Sequence, residues 1–107
     1  MTINAVVTEK VSHEKTTQAA SNIKLSEPSV VELQLTRSQI ASMQQQGEAL
    51  VIQTVSGETI VIEGFYATDN DVVSELVLDS GPEGLWKAEA PGFTNVFTQI
   101  EAIAPLL

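Results

Sequence analysis

The stretch that decides the class of fold is Leu50-Val51-Ile52-Gln53-Thr54-Val55, then Ser56-Gly57, then Glu58-Thr59-Ile60-Val61-Ile62-Glu63. Two apolar runs separated by two residues that end in glycine are typical of a β-hairpin. With Ser56-Gly57 as the turn, the predicted partners are Val55 with Glu58, Gln53 with Ile60, and Val51 with Ile62. One face then holds Val51, Val55, Ile60 and Ile62, and the other holds Leu50, Ile52 and Val61. Because one face is apolar and the other half apolar, we expect the hairpin to lie inside a sandwich or under other elements.

The segments on either side of this hairpin also read as short strands. Alternating apolar residues predict a half-buried strand before it, in which Pro28 marks an edge position or a bulge; these residues are Ile23, Leu25, Val31, Leu33 and Leu35. After it, residues 75–79 and 85–89 flank a tight loop at 80–84, and a last apolar run covers 96–103. Short strands at this spacing predict an all-β fold, either a small sandwich or a partly open barrel of short antiparallel strands.

One short helix is predicted between the two groups of strands. Thr36 and Gln39 match a capping box, with Thr36 as the N-cap. Ile40 and Met43 follow at helical spacing, and Gly47 supplies a stop.

The start of the chain is predicted to be a polar N-terminal arm, residues 1–21, followed by a single β domain over residues 22–107. Ile3, Ala5 and Val7 alternate as in a short strand, but residues 9–22 are polar and show no apolar period. We therefore expect residues 9–22 to form a loop and the arm to be dispensable for folding.

Composition and charge restrict the function more than they reveal it. The chain has 107 residues, no cysteine, 43% hydrophobic and 18% charged residues, which is typical of one folded domain. Fourteen acidic against five basic residues give a net charge of −9, which argues against binding to nucleic acid or to anionic lipid. Residues 38–107 carry all of this net charge, and Lys87 is the single basic residue there. A solvated acidic surface explains this best, and attraction of divalent cations or of a basic partner is the alternative.

Few residues offer catalytic or metal-binding chemistry. His13 is the single histidine and lies in the polar arm, where a solvated side chain is the simpler interpretation. The best metal candidate is Asp69-Asn70-Asp71 with Glu75 and Asp79 nearby, since calcium prefers clustered oxygen ligands. The spacing does not match the helix-loop-helix calcium loop, and a hairpin turn explains the same residues. We therefore assign no catalytic, cofactor-binding or metal-ligating residue, and we expect no cofactor and no enzyme activity.

Several segments together resemble a known family, the BapA prefix-like N-terminal domain of biofilm-associated adhesins of Gram-negative bacteria. The resemblance covers residues 22–107. It rests on the following segments: Val30-Val31-Glu32-Leu33-Gln34-Leu35, Glu48-Ala49-Leu50-Val51-Ile52, residues 56–65, Asp71, residues 75–79, Leu85-Trp86, and residues 100–107.

The resemblance implies a non-enzymatic N-terminal module of a large surface adhesin that is exported by a type I system. On this interpretation the module contributes to anchoring or retention, assembly or self-association at the cell surface, in association with the bacterial outer membrane. The expected partners are further copies of the chain or cell-envelope secretion and anchoring components, without nucleic acid and without direct membrane insertion. The alternative is a ligand-binding module that uses the acidic loops for calcium or glycan.

Two further expectations come from the residues themselves. Trp86 should belong to the core and not to a ligand platform, because it follows Leu85 at the start of a strand. The β-branched run Ile60-Val61-Ile62 makes the hairpin the most association-prone element if it lies at a sheet edge, with Glu58 and Glu63 as flanking gatekeepers. Self-association is then expected near the pI of about 4.3.

Overall fold

The computed structural model describes residues 4–10, 12–19, 22–25, 27–67, 73–89 and 96–103. These residues form two open sheets, and the all-β sandwich expected from the sequence is confirmed. The strands are β1 (Asn4–Glu9), β2 (Lys15–Ala19), β3 (Asn22–Lys24), β4 (Ser29–Leu33), β5 (Ile40–Gln46), β6 (Ala49–Thr54), β7 (Thr59–Glu63), β8 (Glu75–Asp79), β9 (Leu85–Glu89) and β10 (Val96–Ile100). The six-stranded sheet has the order β10-β9-β8-β4-β1-β2, and the four-stranded sheet has the order β3-β7-β6-β5.

One apolar core is shared by the two sheets. Each fully buried leucine or isoleucine in it contributes about 1.5–3 kcal/mol to folding. The six-stranded sheet supplies Ala5, Val7, Val31, Leu33, Leu76, Leu78 and Ala88 to this core. The four-stranded sheet supplies Ile23, Met43, Leu50, Ile52, Ile60 and Ile62, and the connections add Leu35 and Phe65.

The described residues of the predicted N-terminal arm form strands β1 and β2, so the expectation of a loop over residues 9–22 is wrong at 15–19. That the arm is dispensable for folding stays a prediction. Strand β1 lies between β2 and β4 and pairs antiparallel with both. Ala5 is fully buried and Val7 is 4% exposed, so both lie in the core. The polar residues 15–19 form an edge strand that needs no apolar period, because its backbone hydrogen bonds to β1 hold it in place. Ile3 lies outside the described residues.

The hairpin is confirmed as β6 and β7, but its register is one residue away from the prediction. The observed partners are Leu50 with Ile62, Ile52 with Ile60, and Gln53 with Thr59. The loop contains three residues, since the Thr54 N–H donates to the carbonyl of Glu58, and Gly57 adopts a φ of +94°. Three-residue loops with glycine in a left-handed conformation are a common hairpin type.

The shifted register changes which residues share a face. Because side chains alternate along a strand, a slip of one residue exchanges the faces of one strand relative to the other. Leu50, Ile52, Ile60 and Ile62 therefore share the buried face, whereas Val55 in the loop is 65% exposed. The hairpin also lies in the middle of its sheet, between β3 and β5. The condition under which Ile60-Val61-Ile62 was expected to be association-prone, a position at a sheet edge, is therefore not met.

The predicted helix ends after one 3-10 turn, Arg37–Gln39. The capping box is present, with the Thr36 N–H donating to Oε1 of Gln39 over 2.8 Å. The chain then enters β5, whose register shifts between Ile40 and Ser42. A bulge adds one residue to a strand, so Ile40 and Met43 both pack on the core although they are three residues apart. The spacing that resembled a helix is the spacing of this bulged strand.

Pro28 separates two strands of different sheets and does not interrupt a single one. Strand β3 pairs parallel with β7, whereas β4 pairs parallel with β8, so the predicted all-antiparallel arrangement is incomplete. Strand β4 is buried on both faces, as expected for a central parallel strand. Two buried serines hold the ends of the β4–β8 pair: Ser74 Oγ accepts from the Ser29 N–H at 3.1 Å, and Ser80 Oγ donates to the Leu35 carbonyl at 3.0 Å.

The place of β1 in the core can be tested with two valine truncations. Val7→Ala should lower the free energy of unfolding by about 2 kcal/mol, because it removes buried methyl groups and leaves a cavity. Val55→Ala is the matched control at a side chain that is 65% exposed, and it should change stability by less than about 0.5 kcal/mol. Urea unfolding followed by circular dichroism measures both values. Equal stabilities for the two variants would place β1 outside the core.

Candidate interaction surface

The outer face of the six-stranded sheet carries a chain of ion pairs. Glu75 on β8 lies 3.5 Å from Lys10 Nζ and 3.8 Å from Lys87 Nζ, and Lys87 is also 3.8 Å from Glu89. The Lys10 side chain is only 11% exposed and that of Glu75 only 20%. Surface ion pairs add little stability individually, but these charges on β8, on β9 and just after β1 neutralise one another. This face therefore has little free charge with which to attract a partner.

Glu32 lies in the middle of the same sheet, on β4. Its register neighbours are Val6 on β1 and Val77 on β8. Burial raises the pKa of the Glu32 carboxyl, the positive charge of Lys15 partly offsets this, and the negative charge of Asp79 raises it further. The folded state therefore holds the Glu32 carboxylate at a cost.

The cost can be removed by Glu32→Gln, which should raise the melting temperature at pH 7. The pKa of Glu32 in the folded state lies above the unfolded value of 4.5. At a pH between these two values the folded state therefore binds the proton more tightly than the unfolded state does. The penalty is thus full at neutral pH, shrinks as the pH falls through the folded pKa, and is absent below 4.5. Thermal melts between pH 7 and pH 4 should show the advantage of the variant disappearing.

The matched control is Glu48→Gln, which removes the same charge from an exposed position in the β5–β6 loop. It separates the burial of Glu32 from the general relief of repulsion in a chain of net charge −9. An equal rise in melting temperature for both variants would mean that only the net charge matters.

Trp86 lies at the margin of the core and is half buried, so the expectation of a core tryptophan is met only in part. It packs against the core cluster from β9. The Arg37 guanidinium lies 3.7 Å from the centre of its ring, and the indole N–H donates to the Glu83 carbonyl at 3.0 Å. Because Arg37 covers one ring face, that face is not open to a flat ligand.

Trp86→Ala should lower the free energy of unfolding by about 2–3 kcal/mol, below the 3–5 kcal/mol of a fully buried aromatic. A double-mutant cycle with Arg37→Gln should give a coupling of about 0.5–1 kcal/mol, since the guanidinium is attracted to the ring. Both numbers come from urea unfolding. Unchanged stability in Trp86→Ala would make the ring a surface group, and zero coupling would mean that the stacking contributes nothing.

Of the other residues singled out in the sequence, the structure describes His13, Glu75 and Asp79. His13 is exposed in the β1–β2 loop, with a φ of +62°. Glu75 is paired with two lysines, and Oδ1 of Asp79 accepts a hydrogen bond from the Gly81 N–H at 3.2 Å. Asp69-Asn70-Asp71 lies outside the described residues. Among the residues that are described, no group of three or more histidine and acidic side chains could hold a metal ion.

A charge-poor region covers β5 and β6. From Ser38 to Gly57 the only charged residue is Glu48, in a chain of net charge −9. Strand β5 is the last strand of its sheet, so in the described part of the chain one of its edges has no neighbouring strand. Gln44, Gln45 and Gln46 are exposed along this edge strand. Sequence reasoning misses this feature because the spacing of Ile40 and Met43 predicts a helix in this segment.

The two lateral sides of the sandwich differ. At one side, edge strands β2 and β3 lie close together, and the Lys24 N–H donates to Oε1 of Gln18 at 3.3 Å. At the other side, the Arg37–Trp86 contact places the start of β5 over β9, next to β10. There Ile40, Trp86 and Phe97 pack against the core and are only partly buried.

Comparison with known proteins identifies a family. The family model described as BapA, prefix-like domain, matches residues 2–107, and therefore includes β1 and β2. Comparisons with curated proteins and with solved structures give no significant match. No helix among the described residues is long and apolar enough to cross a membrane. Since the match covers essentially its whole length, the chain belongs to the BapA prefix-like domain family, a family of domains from surface-associated biofilm adhesins.

Proposed function

We propose that this domain is a non-enzymatic module of a large biofilm-associated adhesin, exported by a type I system, that acts by association at the cell surface. Its role is anchoring or retention at the outer membrane, assembly of the adhesin, or self-association. Membership of the BapA prefix-like family supports the adhesin context. The observation that carries association is the uncharged edge of β5, which has no neighbouring strand within the described residues.

The physical argument starts from charge. A domain of net charge −9 repels other acidic surfaces. The electrostatic repulsion that opposes contact with another acidic protein is therefore smallest where charge is absent. The β5–β6 region meets this condition, and the edge of β5 adds backbone groups that can pair with a further strand. The calcium or glycan alternative has less support, since the described acids of the candidate site are engaged with lysines or with backbone.

The test removes residues 2–107 in frame from the adhesin in the bacterium that produces it. The adhesin on the cells and the adhesin released into the medium are quantified separately, together with biofilm mass. Loss of cell-bound adhesin would support retention, and normal retention with reduced biofilm would support assembly or self-association. If both readings stay at the wild-type level, the proposal is wrong.

A second experiment, with a chelator, tests the ligand-binding alternative. Retention and biofilm should be equal with and without EDTA if the module works through strand association. Separately, millimolar calcium should leave the melting temperature of the domain unchanged, because a ligand that binds the folded state raises it by mass action. A calcium-dependent rise would favour the ligand-binding alternative.

A further inference from the structure

We propose that β5 pairs antiparallel with β5 of a second copy of the chain, so that two four-stranded sheets join into one eight-stranded sheet. The inference rests on the proposed function and names the surface of its self-association component. An antiparallel pair of identical strands is related by a two-fold axis, the commonest symmetry of protein dimers.

Among the described edge strands, β5 is the one suited to this pairing. Strand β3 has only three residues, and β2 carries Lys15 and follows Glu14. Strand β10 is uncharged, but it pairs with Glu89 of β9 and is followed by Glu101. Strand β5 has seven residues, and neither it nor its neighbour β6 contains a charge. Identical strands can therefore meet there without like charges opposite one another, which would oppose pairing.

The side chains of β5 favour a copy of β5 over other partners. Residues 44–46 are three consecutive exposed glutamines. A glutamine amide offers both donors and an acceptor, so it is complementary to another glutamine amide. Amide ladders of this kind stabilise stacked identical strands. A basic segment would find no acid on β5, and an apolar segment would have to bury these amides.

The edge is held in place at both ends before any partner arrives. At its start, Gln39 accepts through its carbonyl from the Val55 N–H at 2.9 Å, and the capping box fixes the turn. At its end, the loop carbonyl of Glu48 accepts from the Tyr66 N–H at 3.0 Å, and Gly47 adopts a φ of +63°. The bulge is confined to residues 40–42, so residues 42–46 form a regular edge. A strand that is already ordered loses little conformational freedom when it pairs.

The first test compares two lysine substitutions by sedimentation equilibrium at neutral pH, from low micromolar to about 500 µM, since a single strand pair is a small and weak interface. The wild type should show a monomer–dimer equilibrium. Gln44→Lys puts a charge on the edge strand and should weaken dimerisation by at least about fivefold. Gln53→Lys is the matched control, because it puts the same charge on the same outer face but on the internal strand β6, and it should leave dimerisation unchanged.

Three results would overturn the proposal. A wild type that stays monomeric throughout the range has no such pairing. An equal loss in Gln44→Lys and Gln53→Lys would indicate stacking of sheet faces. A dimer unaffected by Gln44→Lys would use another surface. Thermal melts confirm that both variants are folded.

The second test uses the absence of cysteine in the chain. Single variants Gln44→Cys, Thr17→Cys and Thr98→Cys place one thiol on β5, β2 and β10. Under mild oxidation Gln44→Cys should form a disulfide-linked dimer several-fold faster than the other two. Gln44 is the centre of the regular edge 42–46, so a two-fold axis through the middle of that edge brings the two thiols close. Fastest cross-linking in Thr17→Cys or Thr98→Cys would assign the contact to that edge and overturn the β5 assignment.

Failure of this inference and failure of the proposed function give different results. If β5 pairing is wrong but the module retains the adhesin, Gln44→Lys in the adhesin leaves retention and biofilm unchanged while deletion of residues 2–107 abolishes them. If the proposed function is wrong, the deletion itself has no effect, whatever the purified domain does.

Discussion

The parallel pairing of β4 with β8 organises this domain. Two parallel neighbours cannot be joined by a tight turn, so the chain must leave the sheet and return. Here the residues between them build β5, β6 and β7, the three longest strands of the second sheet. The connection is thus itself the opposing layer, and its buried face covers the core face of β4 and β8. The buried serine contacts from Ser29 to Ser74 and from Ser80 to Leu35 hold both ends of this arrangement.

Burial of β4 on both faces has an electrostatic consequence. The Glu32 side chain points away from the core, but it is partly buried because β4 lies between β1 and β8. The ion pairs around Glu75 cover part of the same outer face. Basic residues are few, and three of them, Lys10, Lys15 and Lys87, act on this face. The acidic excess is therefore left on the remaining surface, where it favours solubility. Repulsion between copies is weakest at β5 and β6, where charge is nearly absent.

On the proposed function, the module faces two opposing demands. It must not associate at random before it reaches its place, and it must then make contacts there. An acidic surface interrupted by the uncharged, ordered edge of β5 satisfies both demands, because the net charge limits association in random orientations and the β5 edge permits pairing in one orientation. Membership of the BapA prefix-like family gives this arrangement its biological setting, and the pairing of β5 remains our inference from charge and edge geometry.

The amino-acid sequence was sufficient for the all-β class, the β6–β7 hairpin and the β8–β9 pair, because period-two alternation and turn residues are local signals. The family resemblance rests instead on the likeness of particular segments, such as residues 56–65. The assignment of β1, β2 and β5 needed the tertiary structure. Polar strands such as Lys15–Ala19 have no apolar period, and a bulge gives Ile40 and Met43 the spacing of a helix. The register at Val55–Gly57 and the division at Pro28 were also beyond local reasoning. Which strands end at an edge, and so which surface can meet a partner, depends on parallel pairings between distant residues: Asn22 and Val61 are 39 positions apart, and Val30 and Glu75 are 45 apart. Contacts of that range are decided by how the two apolar faces close on each other, and no short window of sequence contains that information.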